Sequence, residues 1–239
     1  MRNNGEIMNG CVGGAGCGGL SGCNGSASGC DRLTGGREFL IATGNPGKFT
    51  EIRAILEDLP FVMDFLFPVD LGILAEDLEE TGDTYEANAI LKAEYYAGKS
   101  GMGEKGLVVA DDSGLVVTEL AGELGLNTRR WGAGADATDQ EWIDHFLQRM
   151  KGAVNRKAKF ICFAALMVDG KMHVFEGEAG GEITHAQEAE MIPGLPLSSV
   201  FRPEGYDKVY AALTKSDKGR ISHRGFAVNR VRDFLAGTL

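Results

Sequence analysis

The chain lacks an excess of positive charge: 24 Lys and Arg stand against 34 Asp and Glu, a formal net charge of −10. That balance excludes a broad nucleic-acid or membrane surface, because such partners demand clustered Lys and Arg. It still permits a small phosphorylated ligand, provided the cations are gathered in one pocket. No run approaches the roughly 20 apolar residues of a membrane span. Nor does the N-terminus carry a signal-peptide apolar core, so the expectation is a cytoplasmic protein. The 4 His residues show no metal-ligand spacing. Ser222 and His223 are adjacent, which prevents nucleophile–base geometry and excludes a serine-hydrolase triad.

With 239 residues, 44% of them hydrophobic and 24% charged, the chain can bury a core as one large or two small domains. Residues 1–36 are of another kind. They are rich in Gly and Ser, hold few large apolar residues, and carry Cys11, Cys17, Cys23 and Cys30. Such a segment cannot offset its ordering entropy by burial and reads as a disordered tail. Its cysteines lack the paired spacing of a zinc site, and a disulfide framework does not suit a reducing compartment. Cys162 falls within the apolar run Phe160–Val168 and reads as a small buried hydrophobe.

Residues 37–239 read as an α/β domain. Phe39–Ala42 is a buried first strand. The turn Thr43-Gly44-Asn45-Pro46-Gly47-Lys48 breaks it, and a helix follows from about Phe49 to Asp58. A loop over Asp70–Gly82 holds the acidic run Glu76-Asp77-Leu78-Glu79-Glu80. Asp83 with Glu86 resembles a capping box that opens a helix to about Gly98, on which Asn88 and Lys92 share a face. Thr138 and Glu141 cap another helix, whose Trp142, Phe146 and Met150 recur at core spacing. Asp169-Gly170 joins two strands in a hairpin, and a last helix runs from about Gly225 to Ala236. Crossovers together with a hairpin predict a mixed sheet.

Three constellations carry chemistry. In the run Val108–Val117, Asp111 and Asp112 stand between two β-branched stretches. An Asp pair is poor strand material, so a strand end is expected there. The pair suits either a tight Asx-type turn or oxygen ligation of a hard divalent cation. The Thr43–Lys48 junction offers backbone N–H groups and a helix N-terminus to an anion, although its spacing is not that of a Walker A loop. The cationic stretch Lys215–Gly225 precedes the last helix and offers a second anion site; its bland alternative is a solvated basic loop.

In this order, five segments resemble the inosine triphosphate pyrophosphatase (Ham1-like) family, which acts on non-standard purine nucleoside triphosphates. They are Ile41–Lys48, Glu79–Ala93, Ala110–Leu115, Asp136–Gln140 and Ile221–Gly225, and the likeness spans essentially residues 37–239. The resemblance implies a two-lobed α/β fold with an elongated central mixed sheet, commonly a homodimer. It also implies Mg²⁺-dependent cleavage between the α- and β-phosphates, giving nucleoside monophosphate and pyrophosphate in the service of nucleotide-pool sanitation. By the same resemblance, Thr43, Gly44, Asn45, Gly47 and Lys48 would cradle the triphosphate, and Lys92 would bind phosphate. Glu79 would ligate the metal with Glu80 beside it. Asp112 would act at the metal and activate water, supported by Asp111. Ser113 would line the pocket, and Lys218, His223 and Arg224 would contact the nucleotide.

One segment departs from that family. Its usual Gly-Phe-Gly-Tyr-Asp-Pro, which recognises the base, is replaced by Gly194-Leu195-Pro196-Leu197-Ser198-Ser199. Gly205-Tyr206-Asp207 falls too far along to stand in for it. Two alternatives therefore stay open, hydrolysis of a different modified nucleotide and a nucleotide-binding module without turnover.

Overall fold

The computed structural model describes residues 36–74, 78–128, 131–134 and 136–239. All but the last residue of the expected tail, with its four cysteines, lies outside the described residues, as do Glu76 and Asp77. The described chain forms strands β1 (Arg37–Ile41), β2 (Val62–Leu66), β3 (Leu107–Val117), β4 (Lys157–Val168), β5 (Lys171–Ile183) and β6 (Phe201–Pro203). Its helices are α1 (Pro46–Leu56), α2 (Tyr85–Ser100), α3 (Asp139–Arg149), α4 (Lys215–Ile221) and α5 (His223–Thr238). The strands form one sheet in the order β2-β1-β3-β4-β5-β6. β1 runs parallel to β2 and β3, and the remaining pairs are antiparallel. The fold is thus α/β with a mixed sheet, as expected.

Local chemistry accounts for the element ends. Phe39, Leu40 and Ile41 are fully buried, as a strand with both faces covered requires. Asn45 accepts from the Gly47 and Lys48 amides to start α1, with Pro46 in the first turn, where its missing N–H costs nothing. The box at α3 forms as read, Thr138 and Glu141 each accepting from the other's backbone N–H. At the hairpin Asp169 and Gly170 both take positive φ, 48° and 73°, the pattern of a type I′ turn.

Three apolar clusters hold the sheet. α1 and α5 cover one face through Ile52, Leu56, Val228 and Val231 packed on Phe39, Leu107 and Val109. α2 covers the other, with Ala89, Ala93 and Tyr96 against Leu40, Val108 and Ala110. The third cluster gathers Leu115, Val117 and Phe160 with Trp142 and Phe146 of α3, whose rings stack at 5.4 Å. These clusters divide along β3, and the division falls at residues 111–114.

Four readings need correction. β3 does not end at the Asp pair: it continues for 11 residues, with Asp111 opposite Ala164 and Asp112 opposite Phe163. The long partner β4 supplies the ladder, and the carboxylates find side-chain cations instead of competing for backbone. The cap of α2 is Thr84, accepting from Ala87, one residue beyond the expected Asp83. The basic stretch before the last helix is itself helical: α4 is capped by Thr214, and α5 begins at His223 with Ser222 as its cap. Finally, β2 fills a stretch that the sequence pattern left unassigned.

Candidate active site

β1 pairs with β3 only as far as Ile41 opposite Val109. Beyond that point β3 has no parallel neighbour, and Asp111 and Asp112 sit at its newly opened edge, outside the carboxyl end of β1. Ligand sites of α/β sheets favour this position. Successive strand side chains point to opposite faces, so the two carboxylates enter different surroundings.

Asp111 faces α1 and α5. Its Oδ2 accepts from Lys48 Nζ at 3.0 Å and from Arg224 Nε at 3.1 Å. Burial alone would raise its pKa, but Lys48 and Arg224 outweigh it and hold the carboxyl well below the usual carboxylate range. Asp111 Oδ1 is buried without a partner among the described residues. Arg224 also donates to Glu51 Oε2 at 2.6 Å and to Ser113 Oγ at 3.1 Å. Glu51 pairs in addition with Lys218. The cationic stretch before α5 is therefore drawn inward by two acids, Asp111 buried and Glu51 half-buried.

Asp112 faces α2. Its Oδ1 lies 2.7 Å from Lys92 Nζ, which lies 2.8 Å from Glu80 Oε1. Asn88, one turn before Lys92, places its Nδ2 3.5 Å from Asp112 Oδ2, and its Oδ1 accepts from Gly82 N at 2.8 Å, tying the acidic loop to the helix. Here desolvation outweighs Lys92, and the Asp112 carboxyl is pushed above its ordinary range. The two neighbours are thus driven apart in proton affinity.

The Thr43–Lys48 turn is locked by its own hydroxyl and amide groups. Thr43 Oγ1 accepts from Asn45 N at 3.1 Å, and Asn45 Nδ2 donates to Gly194 O at 2.8 Å. A Cβ at Gly47 would lie 2.9 Å from Pro193 O, so only glycine fits there. In the Leu195–Ser199 turn Ser198 Oγ donates to Leu195 O at 2.6 Å and Ser199 Oγ to Pro196 O at 2.8 Å. His223 stacks on Phe160 at 4.5 Å, and its Nδ1 is buried without a partner among the described residues. Burial and the Arg224 charge push its pKa well down, leaving the imidazole neutral near pH 7.

One cavity of about 340 Å³ opens over these groups. Thr43, Gly44, Asn45, Lys48, Lys92, Asp111, Asp112, Ser113, Lys218, His223 and Arg224 all line it. Gly47 does not; it backs onto Pro193 and Leu195 and borders a second, adjoining cavity. Glu79 is exposed and outside the lining, while Glu80 reaches in. Glu80 faces α2 through Lys92, and Asn88 holds the loop to that helix at Gly82. Spacing places Asn88 on the face of Lys92 without revealing its tie to Gly82, and Glu51 escapes sequence reading. Glu51 lies one turn beyond Lys48 on α1, a spacing shared by countless solvated pairs. Tyr206 and Asp207 are exposed after β6 and do not line the cavity.

The arrangement suits polyphosphate chemistry, with cations from α1, α2 and α5 meeting at one carboxylate pair and Lys218 of α4 held in the same cavity by Glu51. The family model for the Ham1 family matches residues 39–234. The chain belongs to the Ham1 family. A dITP/XTP pyrophosphatase of Staphylococcus aureus strain MRSA252 is 35% identical over 202 residues, covering 84% of this chain and 97% of that relative. One of Christiangramia forsetii is 34% identical over 199 residues, covering 83% of this chain and 99% of the relative. Among solved structures, a HAM1 protein from Coxiella burnetii superposes with a TM-score of 0.68 at 30% identity, covering 84% of this chain and all (100%) of that one. The Staphylococcus aureus Ham1 protein gives 0.66 at 34% identity, covering 85% of this chain and 100% of that one. The carboxylate pair of this Ham1 chain thus sits within a fold shared over nearly its whole described length. Among the described residues, no helix is long and apolar enough to cross a membrane.

Proposed function

We propose that this chain hydrolyses nucleoside triphosphates of non-standard purines, releasing nucleoside monophosphate and pyrophosphate with Mg²⁺ as the cofactor. The observation that carries this reading is the separation of the Asp pair: Asp111 is committed to Lys48 and Arg224, while Asp112 faces the cavity beside Lys92 and Glu80. The curated relatives named dITP/XTP pyrophosphatases support the substrate class.

The residues present fit a divalent cation. Glu80 and Asp112 supply hard carboxylate oxygens whose shared neighbour is already a cation, Lys92, and Asp111 Oδ1 is a buried oxygen lacking a partner among the described residues. Among the described residues no group of three or more His, Cys, Asp or Glu is arranged to hold an ion unaided. Mg²⁺ commonly uses one or two carboxylates and completes its shell with water and substrate phosphates. When bound by Glu80 and Asp112, it would neutralise phosphate charge and lower the pKa of the attacking water. Lys48 and the amides at the start of α1 would hold phosphate oxygens. Asp112 would accept the proton of the water that attacks the α-phosphorus, and the β,γ-pyrophosphate would leave. Asp111 would keep Lys48 and Arg224 aimed into the cavity. Phe160, Leu195 and Leu197 form its apolar wall, and the neutral His223 beside them would contact the base.

Pyrophosphate release from dITP, XTP and the ordinary triphosphates, with Mg²⁺ and with EDTA, tests the proposal. Release from dITP and XTP that EDTA abolishes is expected. Folded protein that hydrolyses none of them overturns it, and release confined to another modified nucleotide moves the substrate while keeping the chemistry.

A further inference from the structure

Lys92 occupies the place between the two acids assigned to the cation. Its Nζ lies 2.8 Å from Glu80 Oε1, 2.7 Å from Asp112 Oδ1 and 3.4 Å from the Asp111 carbonyl oxygen. An ammonium has three donors and no acceptor, so these three oxygens engage all of them. The side chain is only 12% exposed, which limits the water available to weaken the contacts.

The charges that the described residues bring to the cavity balance. Among the described residues, Lys48, Lys92, Lys218 and Arg224 line it together with Glu51, Glu80, Asp111 and Asp112, while His223 is neutral. A free divalent cation entering this cavity meets no net negative charge from the described residues. It must also approach an ammonium that already holds the oxygens it needs, and Mg²⁺ gives up its own waters reluctantly. A triphosphate changes both conditions. Its oxygens offer Lys92 a replacement for the carboxylates, and its charge offsets that of the incoming cation.

We propose that Lys92 is an internal counter-ion that keeps Glu80 and Asp112 from holding a divalent cation until a triphosphate arrives. Nucleotide and cation then enter as one unit: Lys92 turns from the carboxylates to phosphate, and the freed carboxylates take the cation. No covalent bond changes in this exchange. The inference rests on the cation assignment under Proposed function and adds an order of events to it.

Mn²⁺, followed by the electron paramagnetic resonance of the free ion, tests the exchange without turnover. Full-length wild-type protein is titrated with Mn²⁺ alone and in the presence of an α,β-methylene analogue of dITP, with the Mn²⁺ held by the analogue alone measured without protein and subtracted. The expected result is at least tenfold tighter Mn²⁺ binding with the analogue. Equal affinity with and without it overturns the proposal. Lys92→Met and Lys92→Gln remove the ammonium and are expected to bind Mn²⁺ at least tenfold more tightly than wild type in the absence of nucleotide. Adding Asp112→Asn to either should abolish that gain. Lys92→Arg keeps the charge and should stay as weak as wild type. Unchanged Mn²⁺ affinity in folded Lys92→Met and Lys92→Gln overturns the proposal, and if neither folds, the wild-type comparison decides it. Pyrophosphate release is measured separately, so its absence in wild type counts against the proposed function and leaves the Mn²⁺ readings to judge Lys92.

Discussion

Asp111 and Arg224, 113 positions apart in sequence, meet at 3.1 Å with side chains 0% and 4% exposed. Arg224→Met strands the carboxylates of Asp111 and Glu51 with fewer cations in a buried place. Breaking one partner of such a pair costs about 3–5 kcal/mol, and urea unfolding should show a loss of that size. Adding Asp111→Asn should recover part of it, because the stranded charge is then gone.

Asp112→Asn removes the candidate base while preserving shape. General-base catalysis contributes about 10²–10⁴-fold, and the same carboxylate is assigned to the cation, so pyrophosphate release should fall by at least that factor, with far-ultraviolet circular dichroism retained. Undiminished turnover would remove Asp112 from the role of base.

The start of α2 separates two adjacent candidates. Thr84→Ala deletes the oxygen that accepts from Ala87 N at 3.0 Å and should cost about 0.5–2 kcal/mol. Asp83→Ala should cost less. Thermal or chemical unfolding of the two variants side by side reads the difference.

The elements written in local chemistry were legible: the hairpin at Asp169-Gly170, the Thr138–Glu141 box and the buried first strand each depend on residues within a few positions of one another. What escaped is set by distant partners. Nothing near Asp111-Asp112 reveals that β4 runs alongside for the whole of β3, so a strand end was the natural reading. Glu79 and Glu80 are equivalent in sequence until the fold brings Lys92 of α2 against Glu80. The site's membership was largely readable from family-like segments, whereas Glu51, which joins Lys218 to Arg224, carries no local mark. Its role exists only once α1, α4 and α5 are packed together.

His223 gives the stability a pH dependence of definite sign. Burial and the Arg224 charge lower its folded pKa, opposed by Asp111 and reinforced by Lys48 and Lys218. The unfolded chain therefore binds a proton that the folded chain refuses. Stability from this residue is complete above the unfolded pKa of about 6.5 and is lost as pH falls from there toward the folded value. The slope approaches about 1.4 kcal/mol per pH unit in that window. Urea unfolding at stepped pH should show a steeper acid-side decline for wild type than for His223→Phe, which keeps an aromatic face for Phe160. Parallel declines would mean that His223 titrates alike in both states.

The pleat of β3 sorts Asp111 and Asp112 onto opposite faces, and this makes the strand intolerant of any change in its length. Inserting or deleting a single residue between Leu107 and Ala110 would exchange the two carboxylates between the Arg224 side and the Lys92 side. Inserting two would restore the faces but carry the pair about 6–7 Å along the strand, past both sets of cations. The chain can therefore accept new residues in its loops far more readily than in these few positions, where distance is counted in whole residues and direction in odd and even.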